Sequence, residues 1–265
     1  MVIGESNSDM IITEGEENVL DVSSCILSVE VDDNLVRYAL FDESSSTAVL
    51  FNKCAGIREL KGDSYISSSN EYHKVIITQS CGSYSLFPSG IKELSAVTSG
   101  KNTDLITAID ATLTFEEHNL TSAIKTIFPG ASLRHGVSGF IVGVLERTKF
   151  LNGVRIYADV KDQLVHILIV ANGKLLSAVT EQIESSQDVI YHLLARIEAY
   201  NLNQLEDVIC LSGNVSSSGI VYMSLKNYIR DIQINKGLNY QKLERGSAEV
   251  NKQEFFTVIN SYQCE

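Results

Sequence analysis

The stretch Val154–Thr180, VRIYADV-KDQ-LVHILIV-ANGK-LLSAVT, consists of three apolar runs joined by two short polar turns. Short apolar runs bounded by turn residues are typical of buried strands, so this stretch predicts a three-strand meander. A second stretch, Asp207–Asp231 (DVICLSGNVSSSGIVYMSLKNYIRD), begins with an apolar strand, turns at Ser-Gly-Asn and continues as an amphipathic helix. A helix predicted over 186–200 joins the two. Together these elements predict one α/β lobe.

The first half of the chain predicts the same order of elements. From Ser24 onward apolar and polar residues alternate with the period of a strand, and the turn Asp32-Asp33-Asn34 leads into a returning strand. Further strands are predicted over 47–52, 74–78, 84–87, 111–115 and 131–134. Helices are predicted over 62–70, from Pro88, from the N-cap Asn119 and over 137–148. The last part predicts a helix over 217–232 and ordered pieces over 240–244 and 254–264.

These patterns divide the chain into three parts. Residues 1–23 are predicted to form an acidic arm, residues 24–152 a first lobe and residues 153–265 a second lobe. Each lobe is predicted as a mixed sheet opened by a three-strand meander and flanked by helices. The sequence therefore predicts an architectural duplication, although the residues themselves are not repeated.

Composition excludes several classes of partner. The chain has 265 residues, is 44% hydrophobic and carries a formal net charge of −12, so we expect no binding to nucleic acid or to anionic membranes, which need a basic face. The longest apolar run, over 164–170, is interrupted by His166 and is too short to span a bilayer. No secretory signal is visible, so we expect a cytoplasmic protein.

The cysteines do not predict a metal site. The five (Cys25, Cys54, Cys81, Cys210 and Cys264) are widely spaced, with no CxxC motif and no paired histidine. We therefore expect buried, reduced thiols and no bound metal.

The two meander turns and the Ser-Gly-Asn turn resemble, in their order, the actin-like ATPase (ribonuclease H-like) fold of sugar kinases and Hsp70 chaperones. In that fold each hairpin turn reads roughly Asp-x-Gly-(Ser/Thr), where the glycine admits phosphate and the aspartate holds magnesium through water. Here Glu30 takes the aspartate position of the first turn, and Asp32 stands in place of the glycine. An extra carboxylate facing a triphosphate disfavours binding.

The second and third elements are also altered. In the second turn Asp159 keeps the acidic position, but Lys161 replaces the glycine. The third element, a Gly-Gly that cradles adenosine in this fold, is half kept as Gly213-Asn214. Because this turn joins a strand to a helix, Gly213 also has a structural reason to be present. Because these cleft positions are degenerate, we predict no catalytic residue and assign no cofactor-binding residue.

The chain also resembles a family of uncharacterised bacterial proteins, a domain of unknown function with an actin-like fold. The similar stretches are Ser83–Ser89, Ile127–Ala131 with His135, Leu175–Gly213 and the carboxy-terminal Phe255-Phe256 with Cys264-Glu265. The resemblance covers nearly everything after residue 24. It implies the fold, and it implies no activity, because the family has none assigned.

Two further features have alternative interpretations. His135 is either a general base or, as we favour, a histidine that caps the next helix or lies in the lobe interface. Gly139 and Gly143 are either part of a phosphate loop or, as we favour, sites of close packing of a helix on a sheet, because the GxGxxG spacing is absent.

Three functions remain open. We expect a non-catalytic, actin-like (pseudo-ATPase) scaffold that binds another protein or itself and needs no cofactor. The alternative is an atypical ATPase or kinase, in which Glu30 and Asp159 hold magnesium and Lys161 contacts phosphate. The third is a small-molecule sensor for an uncharged or cationic ligand, favoured by the acids at 30, 32, 33, 159 and 162.

Overall fold

The computed structural model describes residues 22–33, 35–44, 47–63, 65–66, 71–91, 98–235 and 251–263. The strands among them are β1 (Cys25–Val31), β2 (Val36–Asp42), β3 (Thr47–Cys54), β4 (Lys74–Gln79), β5 (Tyr84–Pro88), β6 (Asn102–Ile106), β7 (Ala111–Phe115), β8 (Ser132–His135), β9 (Val154–Val160), β10 (Leu164–Ala171), β11 (Lys174–Gln182), β12 (Val208–Gly213) and β13 (Asp231–Ile234). The helices are α1 (Gly56–Gly62), α2 (Asn119–Ile127), α3 (Gly136–Thr148), α4 (Ser186–Ala199), α5 (Ile220–Leu225) and α6 (Phe256–Gln263).

Two five-stranded sheets share one topology. Their strand orders are β3-β2-β1-β4-β8 and β11-β10-β9-β12-β13, and β5-β7-β6 forms a third, smaller sheet. In each large sheet the first three strands pair antiparallel, and the first strand then pairs in parallel with a strand that arrives later in the chain. The predicted duplication is therefore confirmed, and both hairpin turns lie at the ends of central strands.

The carboxy-terminal helix α6 joins the two halves. It packs on β1, β2 and β4 of the first sheet and along α3. Phe41 of β2 stacks on Tyr262 with ring centroids 4.5 Å apart, while Phe256 packs in a core cluster with Tyr157 and Cys210 of the second sheet. The predicted lobe boundary near residue 152 stays a prediction, but α6, assigned to the second lobe, is shared with the first.

Gly139 and Gly143 of α3 are sites of close packing, as predicted, but the prediction that they pack on a sheet is wrong. They face α6 rather than a sheet. A Cβ atom at Gly143 would lie 2.3 Å from Cγ of Asn260, and one at Gly139 would lie 2.6 Å from Oγ of Ser261. Two helices approach this closely only where small residues remove side-chain bulk from the contact.

Four predictions of local structure need correction. The helix predicted over 62–70 does not begin at Gly62, because α1 ends there and the backbone of Asp63 is extended; residues 64 and 67–70 lie outside the described residues. Pro88 does not begin a helix within the described residues 88–91; it ends β5 and is paired with Ala111, and residues 92–97 lie outside the described part of the chain. Because β5 is an edge strand, the missing N–H of Pro88 is tolerated there.

The other two corrections concern helix ends. The N-cap of α2 is His118 rather than Asn119, because the extended backbone of His118 lets its Nδ1 accept a hydrogen bond from the N–H of Leu120. The helix predicted over 217–232 is limited to α5. Its predicted last turn falls in β13, where Asp231 and Ile232 pair in parallel with β12. Tertiary pairing has overridden the helical pattern.

The remaining predicted elements agree with the structure to within a few residues. The arm up to residue 21, the piece over 240–244 and the Cys264-Glu265 ending lie outside the described residues. No helix in the described part of the chain is both long and apolar enough to cross a membrane.

Candidate functional site

The two hairpin turns meet in the interior of the molecule. In β1, Ile26, Ser28 and Glu30 alternate with Leu27, Val29 and Val31, so one set faces α6 and the other faces the core under α1 and α2. Both faces are buried. Glu30 therefore lies on the α6 side of the sheet, in the direction of the second hairpin.

Lys161 of the second turn forms ion pairs with an acid from each lobe. Its Nζ lies 2.7 Å from Oε1 of Glu30 and 2.9 Å from Oδ2 of Asp159. All three side chains are 0% exposed. A lysine at the position of the fold's phosphate-binding glycine thus links the two acidic positions to each other.

Arg37 adds a second buried cation. It stands directly opposite Glu30 in the β1–β2 register, and its Nη1 lies 3.8 Å from Oε2 of Glu30 and 3.5 Å from Oδ2 of Asp32. Its Nη2 donates a hydrogen bond of 2.7 Å to Oδ1 of Asn214 in the other half of the molecule. The amide of Asn214 in turn donates to Asp162. Together Glu30, Asp32, Arg37, Asp159 and Lys161 form what we call the cleft ion network.

Hydroxyl groups donate further hydrogen bonds to Glu30 and Asp159, while Oε2 of Glu30 and Oδ2 of Asp32 have only their ion pairs with Arg37. Ser80 Oγ donates to Oε1 of Glu30 at 2.5 Å. Asp159 accepts from Ser212 Oγ at 3.1 Å and from Thr257 Oγ1 at 2.7 Å. Because Thr257 lies on α6, the carboxy-terminal helix takes part in the network as well as in the core.

The network is electrically close to balanced. Burial raises the pKa of Asp32, and Glu30 raises it further, although Lys161 and Arg37 oppose this. For Lys161, burial alone lowers the pKa, but Asp159 and Glu30 more than compensate, so its pKa is raised overall and the ammonium stays charged. Three carboxyl groups and two cations therefore hold one another in place, with none of their side chains exposed.

Gly213, at the end of β12, lies against Asp159 and Val160 at the end of β9. Its φ is +80°, and a Cβ there would lie 2.1 Å from the carbonyl oxygen of Val160 and 2.7 Å from Oδ1 of Asp159. The N–H of Asn214 donates to the same carbonyl at 2.7 Å. Local backbone packing is sufficient to require this glycine, as the sequence indicated.

The predicted cleft positions Glu30, Asp32, Asp159, Lys161, Gly213 and Asn214 all come together here. Sequence reasoning missed Arg37 and the hydroxyl donors Ser80, Ser212 and Thr257. In the observed register Val31 stands opposite Val36, so Glu30 and Arg37 are a cross-strand pair of opposite charge. The three-residue turn predicted at 32–34 places Val36 opposite Glu30 instead, so the predicted hairpin did not reveal Arg37. Nothing in the sequence pointed to Thr257, more than two hundred residues from Glu30.

His135 and His166 lie beside this network at the contact between the lobes. His135 Nδ1 accepts from the N–H of Val137 and so caps α3, as predicted, while the two imidazole centroids are 6.3 Å apart. Nδ1 of His166 shares a 2.7 Å hydrogen bond with Oγ1 of Thr180. Burial lowers the pKa of each histidine to about 3, so both rings are neutral.

A second group of polar side chains lies at the outer end of β1 and β4. Asp33, Cys81 and His118 place one ligand atom each within 4.8 Å of the others. Burial, with Asp33 and Asp32 nearby, raises the pKa of the Cys81 thiol to about 12. This thiol is therefore protonated and is not an activated nucleophile.

Solved structures with the same fold are recognisable despite low sequence identity. A Bacteroides thetaiotaomicron protein with an actin-like ATPase fold and unknown function superposes with a TM-score of 0.74 at 16% identity, covering 95% of this chain and 100% of that one. The PilM-PilN type IV pilus biogenesis complex matches with a TM-score of 0.61 at 9% identity, covering 92% and 98%. The chain thus has the actin-like ATPase fold.

Sequence comparison gives the family. No curated protein was found to be similar in sequence. The family model described as "Protein of unknown function (DUF3822)" matches residues 96–232, just over half of the chain. The chain therefore belongs to the DUF3822 family.

Proposed function

We propose that this protein is a non-catalytic, actin-like module that acts by binding another protein or a second copy of itself. In this proposal the position of the nucleotide cleft is occupied by the cleft ion network, which links the two lobes. The observation that carries this proposal is the position of Lys161 Nζ, 2.7 Å from Glu30 and 2.9 Å from Asp159, with all three side chains 0% exposed.

Nucleotide binding at this place is disfavoured on two grounds. Phosphate would have to displace Lys161 from its acids, and separating a buried, hydrogen-bonded ion pair costs about 3–5 kcal/mol. The triphosphate would then face Glu30, Asp32 and Asp159, which repel it. The side chains of the network leave no exposed surface for a ligand to contact.

The atypical-ATPase alternative requires Glu30 and Asp159 to hold magnesium. Both carboxylates already contact the Lys161 ammonium, and Asp159 also accepts hydrogen bonds from Ser212 and Thr257. A magnesium ion that keeps several of its waters would have to replace the ammonium in a fully buried site. The same pairing disfavours a small cationic ligand.

The proposal that the protein binds a protein partner rests on the similarity of its fold to that of another protein. One similar structure is a complex of two proteins, PilM-PilN, and it shows that an actin-like fold serves in an assembly. This is an analogy of fold, since the identity is 9%. It supports protein binding as the function to test first.

Thermal unfolding with nucleotide tests the first half of the proposal. We expect no change in the midpoint on adding ATP with Mg²⁺, relative to Mg²⁺ alone. A ligand at a hundred times its Kd would stabilise the protein by about 2.7 kcal/mol, which is readily seen. A rise that disappears in Asp159→Asn would contradict the proposal and favour the ATPase.

Affinity capture from the native cell followed by mass spectrometry, together with light scattering of the purified chain, tests the second half. We expect either one protein recovered in stoichiometric amount or a concentration-dependent oligomer. A chain that stays monomeric and captures no protein would contradict the binding role.

A further inference from the structure

We propose that Asp33, Cys81 and His118 form a binding site for one divalent transition-metal ion, and that Zn²⁺ fits its donors best. The sequence indicated no metal site because no cysteine stands near a histidine in the chain. The fold brings them together, with one ligand atom from each residue within 4.8 Å of the other two.

Parallel pairing of two strands creates this arrangement. In the β1–β4 register Val31 is the partner of Gln79, so the carboxyl ends of both strands stop side by side. The N–H of Ser80 donates to the carbonyl of Val31 at 2.8 Å and extends the pairing by one residue. Asp33 and Cys81, each two residues beyond this pair, are thereby held at the same edge.

The side chain of Gln79 fixes the third ligand relative to the second. Its Nε2 donates to the carbonyl of Cys81 at 3.0 Å and to that of Glu116 at 2.9 Å. Its Oε1 accepts from the N–H of His118 at 2.8 Å and from Oγ1 of Thr121 at 3.1 Å. This amide is 1% exposed and fully hydrogen-bonded, so the Cys81 and His118 backbones are held before any ion arrives.

The donor set selects the ion. One thiolate sulfur, one imidazole nitrogen and one carboxylate oxygen are ligands that Zn²⁺ accepts together, while Mg²⁺ and Ca²⁺ take oxygen alone. The side chains of His118 and Asp33 are 34% and 28% exposed, which leaves solvent access for a fourth ligand. Three protein ligands therefore leave the fourth position of a tetrahedral Zn²⁺ site to water or to an added ligand.

Metal binding rearranges two protons. The Cys81 thiol, which donates to Asp33 in the metal-free protein, loses its proton to solvent as the sulfur–metal bond forms. The imidazole binds through Nε2, so its proton moves to Nδ1 and the 3.3 Å cap bond from the N–H of Leu120 is released. No electron is transferred, and one proton is released for each ion bound.

The test uses the full chain, stripped of metal with a chelator and titrated with Zn²⁺ against a chromophoric competitor, and separately with Co²⁺. We expect one Zn²⁺ per chain and, with Co²⁺, a near-ultraviolet thiolate-to-metal absorption band. Cys81→Ser should abolish the band, and both Cys81→Ser and His118→Gln should weaken Zn²⁺ binding about tenfold or more.

Cys54→Ser is the matched control, because Cys54 is a buried thiol beside a carboxylate, Asp63, with no histidine ligand in the group. It should leave the affinity and the band unchanged. If Cys81→Ser does not fold, the partly exposed His118→Gln carries the test. No Zn²⁺ bound to the wild type, equal affinity in the variants, or bound Co²⁺ without a thiolate band would overturn the proposal.

Discussion

Lys161 Nζ lies 2.7 Å from Oε1 of Glu30, so the hairpin turns of the two halves are joined by a buried ion pair. In the actin-like fold that the sequence resembles, the corresponding turns lie at the phosphate site. Here charged side chains of both signs fill the space between them, and Thr257 of α6 is hydrogen-bonded to both Lys161 and Asp159.

Removing the Lys161 charge should strongly destabilise the protein. In Lys161→Met the carboxylates of Glu30, Asp32 and Asp159 lose their central cation inside a dry site, so we expect the free energy of unfolding to fall by about 3–5 kcal/mol. Urea unfolding followed by circular dichroism measures this. Lys174→Met, at an exposed lysine, is the control and should change it by less than about 0.5 kcal/mol. Equal stability of the two variants would contradict the role given to the network.

A methyl group between α3 and α6 should loosen the carboxy-terminal helix. In Gly143→Ala the new Cβ would meet Asn260 at 2.3 Å, and we expect a loss of about 1–3 kcal/mol, although alanine favours a helix over glycine. Gly62→Ala, in α1 with nothing within 4 Å, is the control and should be neutral or stabilising. Hydrogen exchange of α6 amides should rise in Gly143→Ala only; unchanged exchange would count against this contact.

The third substitution addresses the cleft backbone. Gly213→Ala forces an L side chain into φ +80° and places its Cβ 2.1 Å from the carbonyl of Val160, so we expect a loss of about 2–4 kcal/mol. The loss should appear in urea unfolding without any ligand present. If Gly213→Ala were as stable as the wild type, the structural account of this glycine would be wrong.

The two buried histidines should lower the stability of the protein as the pH drops below about 6.5. His135 and His166 are neutral when folded, with pKa values lowered to about 3, so between pH 6.5 and pH 3 the unfolded chain binds protons that the folded chain does not. Each ring then removes about 1.4 kcal/mol of stability per pH unit within that window. Lys161 lowers the pKa of His166 and Glu30 raises it. The carboxylate of Asp104 accepts a hydrogen bond from the backbone N–H of His135.

Urea unfolding at pH 7 and pH 5 checks this expectation. His166→Gln removes one of the two titrating rings. The free energy of unfolding of this variant should change less steeply with pH than that of the wild type, by the contribution of one ring. The raised pKa values of Asp32 and Asp104 act in the opposite direction and are common to both proteins, so equal slopes for the wild type and His166→Gln would show that the ring of His166 is not buried as described.

Most of the secondary structure was predictable, because it depends on local pattern. The second meander and α4 were predicted nearly to the residue, since apolar period and turn chemistry agree there. The failures came where a distant partner decides. Asp231 pairs with Val208 in β13 instead of continuing a helix, and Pro88 ends an edge strand beside Ala111 instead of starting a helix.

The candidate sites divide in the same way. The sequence placed acids at 30, 32 and 159 and a lysine at 161 on the two cleft turns, because turn positions follow from the strand pattern. It did not show that these charges would neutralise one another, since ion pairing depends on distances between residues 131 positions apart in the chain. Nor did it reveal that Gln79 holds Cys81 beside His118.

By itself, then, the amino-acid order determined two similar series of strands and helices and the charged residues of their hairpin turns, because both follow from short-range periodicity and from which residues occupy the turns. Only the tertiary structure decided that Lys161 bridges the lobes, that α6 belongs to both, and that a Cys, a His and an Asp converge at one sheet edge. These are contacts of high sequence separation, and their energy comes from burial and charge pairing that exist only once the chain is folded.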